Sequence, residues 1–117
     1  MSIEEILTEP KWIGFFVESH RGKGWMNMAM KFDEGSIVGE GVDYVGPWYL
    51  QGTYSIEEKT CQWTKTYVGQ HCVEYSGAIS EIGIQGQWNI YPHLVGDFHI
   101  WPERMGHIQQ EYLAELS

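Results

Sequence analysis

The chain has no apolar run approaching the roughly 18 residues of a membrane helix. It has only two cysteines, four prolines, and seven Lys plus Arg against sixteen Asp plus Glu. The first shortage leaves no candidate transmembrane span. No basic stretch leads into an apolar one at the N-terminus, so a soluble, unprocessed chain is expected. Two cysteines make no disulfide framework, and strand parity places Cys61 and Cys72 on opposite faces of neighbouring strands. Both read as reduced thiols, compatible with the cytoplasm. His71 and Cys72 are adjacent on a strand and point to opposite faces, so they cannot close on one metal ion. The shortage of cations, a net charge of −9, disfavours nucleic acid and membrane as partners.

Catalytic signatures are also missing. No serine lies in a nucleophile elbow, and no histidine pair has helical ligand spacing. Gly39-Glu-Gly41 has no helix after it to bind a phosphate, and His93, His99 and His107 are scattered. The paired carboxylates Asp33-Glu34 and Glu57-Glu58 fall in turns, where little separates their pKa values. No catalytic residue, metal or cofactor is expected.

What is abundant is aromatic and glycine content: six Trp, 15% aromatics and 14 Gly in 117 residues. A chain of this length buries roughly two-thirds of its unfolded surface, which supports one domain, 1–117, with a real core. Ser2-Ile-Glu-Glu5 reads as a capping box for a short helix carrying Ile3, Ile6 and Leu7, stopped by Pro10. From Lys11 to Trp101, short runs of period-two alternation are separated by turn residues. Eight strands are predicted, near 11–20, 24–33, 36–43, 47–56, 60–67, 71–79, 83–91 and 94–101. Their short turns require antiparallel neighbours, hence a meander. Closure into an up-and-down barrel removes both edges, with a sandwich as the competing arrangement. Glu103 to Ser117 returns to helical spacing, with Met105, Ile108, Tyr112, Leu113 and Leu116 on one side.

Register follows from keeping apolar residues on one face. It pairs Phe32 with Ile37, Met30 with Gly39, Met28 with Gly41, Trp63 with Tyr75 and Cys61 with Gly77. It also pairs Ile79 with Ile84, Gly77 with Gly86, Tyr75 with Trp88, Ile90 with Leu94, Trp88 with Gly96 and Gly86 with Phe98. Several large side chains therefore face a glycine, which permits the strand to bend and makes room for an aromatic ring. The inward face holds Met26, Met28, Met30, Phe32, Trp48, Leu50, Tyr54, Trp63, Tyr67, Tyr75, Trp88, Ile90, Phe98 and Ile100.

Three polar residues break that face: Asp43, Lys65 and His71. Asp43 and His71 sit at strand ends. Lys65 is mid-strand and needs a partner, either Asp43 or a bound anion. A salt bridge at the barrel mouth and a ligand-orienting cluster both satisfy the pattern.

Eight meandering strands followed by an amphipathic helix resemble the calycin architecture of lipocalins, with avidins as helix-less relatives. Lipocalins carry Gly-x-Trp on the first strand. Here Trp12-Ile-Gly14 has the reverse order, and no ligand residue is carried over. The resemblance implies a barrel able to hold a small apolar or aromatic molecule. A second resemblance is to MORN repeats: Gly39-Glu-Gly41, Tyr44-Val-Gly46 and Gly52-Thr-Tyr54 are similar to that hairpin unit. Tyr44-Val-Gly46 also recurs as Tyr67-Val-Gly69, 23 residues later.

Two functional readings follow. In the first, a non-catalytic calycin-like barrel binds a small hydrophobic or aromatic ligand in its mouth. Asp43, Lys65, Tyr67 and His71 orient a polar group, and Trp48, Trp63, Tyr75 and Trp88 line the walls. In the second, a filled barrel or MORN-like scaffold acts as an interaction module. Outward Trp25, Tyr49 and Trp101 then serve a partner or a second copy of the chain.

Overall fold

The computed structural model describes residues 1–18, 22–92 and 94–106. Alternation along the chain becomes eight strands: β1 Lys11–Glu18, β2 Gly22–Asp33, β3 Ser36–Asp43, β4 Gly46–Ser55, β5 Thr60–Tyr67, β6 Cys72–Ser80, β7 Gly83–Ile90 and β8 Leu94–Pro102. Each pairs antiparallel with the next, and β1 pairs with β8 from Trp12↔Pro102 to Glu18↔Gly96. The barrel is closed, which excludes the sandwich and leaves no open edge of the kind an array of hairpin repeats would have. The topology is compatible with the calycin architecture.

Turn chemistry fixes the hairpins. Glu34 and Gly35 both take positive φ, 47° and 83°, the backbone a two-residue hairpin loop needs between twisted strands. Of the expected cross-strand pairs, all but one are present, among them Trp63↔Tyr75, Tyr75↔Trp88 and Gly86↔Phe98. The exception is Met28 with Gly41. The β2–β3 ladder runs only from Asp33↔Ser36 to Ala29↔Glu40, whereas β3 stays paired with β4 to its last residue, Asp43↔Gly46. Trp48 packs its ring over Gly41 on the inner face.

Glycines make room for a ring at one position and let two strands approach at another. Gly41 does leave room for the Trp48 ring. At Gly86, however, an added Cβ would strike the Ser76 carbonyl and the Gly77 backbone. This glycine lets two strands approach, with no ring involved.

One end of the barrel is sealed. Ser2 and Glu5 form the reciprocal capping box of helix α1, Ile3–Ile6. The helix drives Ile6 and Leu7 into the core with Trp12, whose indole N–H donates to the Glu9 carbonyl at 2.9 Å. Above this plug the interior is filled by Met28, Met30, Ile37, Leu50, Ile84 and Ile100. Next comes an aromatic layer in which Trp63 stacks on Tyr75 (5.1 Å, 15°) and meets Phe98 edge-on (5.5 Å).

The last expected helix is not shown among the described residues. Glu103–Met105 form one 3-10 turn, and residues 107–117, where the rest of that expectation falls, lie outside the described residues. Trp101 corrects a second expectation. It has outward parity but is fully buried, edge-on to Phe15 and to His99, and so offers no surface to a partner. Parity assigns a face without saying whether that face is covered.

His99, also outward and buried, has Nε2 2.7 Å from the Ile82 carbonyl, so Nε2–H donates and the neutral ring leaves Nδ1 without a partner among the described residues. Burial pushes its pKa below the ordinary histidine value, with the Ile82 carbonyl offsetting part. The folded state thus binds fewer protons than the unfolded one below about pH 6.5, and stability falls with pH until the folded pKa is passed. His99→Gln should remove this part of the slope in urea unfolding measured at stepped pH. An unchanged slope would show that His99 protonates without cost.

Candidate functional site

Opposite the α1 plug the barrel is open. A cavity of about 450 Å³ enters there and is lined by Phe16, Met26, Tyr75, Trp88 and Ile90 among others, with Lys65 and Tyr67 on its wall. The parting of β2 and β3 beyond Ala29↔Glu40 shapes one side: Trp25, Met26 and Asn27 face Val42, Asp43 and Tyr44 across the opening. The aromatic layer of Trp63, Tyr75 and Phe98 lies where the filled core ends.

The polar cluster is built by local rules. Asp43 ends β3 and its Oδ1 accepts the Val45 amide at 2.9 Å, an Asx turn that aims the carboxylate inward. Two β5 residues on one face reach the other oxygen. The Tyr67 hydroxyl donates to Asp43 Oδ2 at 2.7 Å, and Lys65 Nζ lies 3.3 Å from the same atom. Lys65 is only 5% exposed. Its ammonium sits 4.7 Å from the Trp48 ring centre and 4.9 Å from that of Tyr67, so aromatic faces replace water on two sides.

Electrostatics follow from this geometry. Burial works to raise the Asp43 pKa, but the Tyr67 hydroxyl, the Val45 amide and the Lys65 ammonium together hold it below the ordinary carboxylate value. Burial pushes the Lys65 pKa down, and Asp43 offsets part of that. Tyr67 is held neutral, first by burial and then by its bond to Asp43. Asp43 already receives three donors. Among the described residues, Lys65 has one oxygen partner for three N–H bonds. The spare capacity of the cluster is therefore a donor facing the cavity.

Of the residues expected at the site, Asp43, Lys65, Tyr67, His71, Tyr75 and Trp88 all line this one cavity. His71 is exposed and tilted against the Tyr67 ring at 5.1 Å. Trp48 lies beneath Lys65 and Trp63 within the filled layer; neither lines the cavity. Trp88 is anchored by its indole N–H to the Val17 carbonyl at 3.2 Å, edge-on to Phe16. Phe16, Glu18, Asn27, Val42, Tyr44, Val45, Val73 and Leu94 also line it, though none of them was expected at the site. Phe16 and Val73 share the inward parity and were legible in principle.

Among the described residues, no group of three His, Cys, Asp or Glu is placed to hold a metal ion, and no helix is long and apolar enough to cross a membrane. Cys61 is buried and desolvation pushes its thiol up to about 12, whereas Cys72 is exposed; neither is in a disulfide. Comparison with models of known protein families, with curated proteins and with solved structures finds no match.

Proposed function

We propose that this chain is a non-catalytic, calycin-like barrel that binds one small, ring-bearing, uncharged molecule carrying a carbonyl or similar oxygen. The observation that carries this reading is the Lys65 ammonium, buried on the wall of an aromatic-lined cavity with a single oxygen partner among the described residues. A ligand oxygen accepts from Lys65, and the rings of Trp88, Tyr75 and Phe16 provide the apolar walls. A cationic ligand would meet Lys65. An anionic one would meet Asp43, which already neutralises Lys65 and lies beside it.

Benzophenone against diphenylmethane is a matched test, because the two differ by one carbonyl oxygen. Both are expected to displace N-phenyl-1-naphthylamine from the barrel. Benzophenone should be preferred by about tenfold, the value of one hydrogen bond from a charged donor. Lys65→Met should erase the preference, and Trp88→Ala should weaken both ligands. No displacement by either compound, or a preference that survives Lys65→Met, refutes the reading. The alternative is a non-catalytic interaction module acting through exposed Trp25 and Tyr49, 64% and 45% exposed.

A further inference from the structure

In an antiparallel meander, alternate turns lie at opposite ends of the barrel, so the turn residues can be compared end against end. At the sealed end, α1 and the β2–β3, β4–β5 and β6–β7 turns present Glu4, Glu5, Glu34, Glu57, Glu58 and Glu81, all exposed. At the open end, the described turn residues are Tyr44 and Val45, Val68 to His71, and Tyr91 and Pro92. None of these is Asp, Glu, Lys or Arg. Among the described turns the acidic residues thus lie at the sealed end, while Asp43 and Glu18, at strand ends, line the cavity itself.

What replaces charge on the open-end turns is apolar. Tyr44 is 93% exposed, Tyr91 90% and Val42 76%, and Trp25, Val68 and Val95 are each more than half exposed. Trp25, Val42 and Tyr44 line the cavity entrance, and Val68, Tyr91 and Val95 stand at the same end of the barrel on two further turns and on β8. We propose that this rim is a docking surface for a zwitterionic lipid–water interface, so that the cavity opens against the lipid.

Three features favour lipid over a folded partner. The side chains stand out singly around a hole, as knobs on separate turns, and a fluid phase conforms to any such arrangement. A protein partner would need a matching set of pits. Tyr and Trp combine an apolar ring with a polar tip, which suits the headgroup boundary. The described turns facing the lipid carry no Asp, Glu, Lys or Arg, and Glu18 on the cavity lining and Lys23 against the Trp25 ring add one charge of each sign beside them, which a zwitterionic headgroup layer accommodates. The net charge alone argued against membrane partners. Its distribution argues against anionic surfaces and leaves neutral ones open. Docking depends on the rim and not on whether the cavity holds a ligand.

The test is flotation of the full chain with phosphatidylcholine vesicles. Wild type should float. Tyr44→Glu combined with Tyr91→Glu should remain in the dense fraction, with its thermal midpoint unchanged because both residues are exposed. Ile56→Glu, in a sealed-end turn, should float like wild type. Vesicles with brominated acyl chains should quench the wild type and spare Trp25→Phe, since the other five Trp are buried. Adding phosphatidylserine should weaken flotation. Failure of wild type to float, or flotation indifferent to the two Tyr substitutions, overturns the proposal. So does a self-association removed by those substitutions without vesicle binding, which would assign the rim to a second copy. Probe displacement in solution is read separately. Docking without displacement sinks the cavity reading alone, and displacement without docking sinks this one alone.

Discussion

Gly86→Ala is expected to cost the barrel about 3 kcal/mol or more, a large part of the 5–15 kcal/mol that holds a domain together. The reason is the first carbon. A Cβ at Gly86 would be driven into the Ser76 carbonyl and the Cα of Gly77, which are backbone atoms of the neighbouring strand and cannot rotate away. Gly86 pairs with Gly77 in β6, so relief would require β6 to separate from β7. Val at this position should do little further harm beyond Ala. Gly69 provides the contrast. It has φ of 75° with open space around its Cβ position, and Gly69→Ala carries only the left-handed backbone penalty of about 1 kcal/mol. Urea unfolding followed by tryptophan fluorescence separates the two variants. If Gly86→Ala unfolds within about 0.5 kcal/mol of wild type, a magnitude typical of neutral surface changes, the strands are not as close there as the fold requires.

The contrast also shows what a sequence of this kind discloses. Strand number, order and nearly all of the register were legible because one face of every strand is apolar, and a slip by one residue would turn Trp63, Tyr75 and Trp88 out to water. That Lys65 needs a partner followed from the same parity, with Asp43 one of two candidates; the structure supplies Asp43. Depth along the barrel was not legible. Trp48, Trp63, Tyr75 and Trp88 share one face, but strand tilt decides which lie in the filled layer and which border the cavity. Nor does parity report cover, so Trp101 and His99 could not be told from surface residues. The unequal ends were in principle readable, because a meander sends every second turn to the same end. Glu34, Glu57, Glu58 and Glu81 against Tyr44, Val68 and Tyr91 is a pattern of turns, invisible to a net charge.

Asp43→Ala tests the cluster on which the site reading depends, and is expected to destabilise the chain by about 3 kcal/mol. The loss comes mainly from what remains. Lys65 keeps its buried ammonium against Trp48 and Tyr67 with its one oxygen partner removed, and Tyr67 loses its acceptor. Lys65→Met should be far milder, because Asp43 retains Tyr67 and Val45 and is partly open to water. The double variant should recover much of the loss, giving a coupling that neither single change predicts. The pH dependence supplies the sign. The Asp43 pKa is depressed on folding, so its contribution is full above about pH 4 and is lost as the pH falls through its folded value. Depression at Lys65 means the folded state also binds fewer protons on the alkaline side, and stability rises with pH up to about 10.4. Removing Asp43 takes away what holds the Lys65 pKa up. That alkaline window therefore widens, and the deficit of Asp43→Ala should shrink as the pH is raised from 7 toward 10. A deficit independent of pH would place the cost elsewhere than in a stranded ammonium. Lys65 would then be no donor waiting for a ligand oxygen.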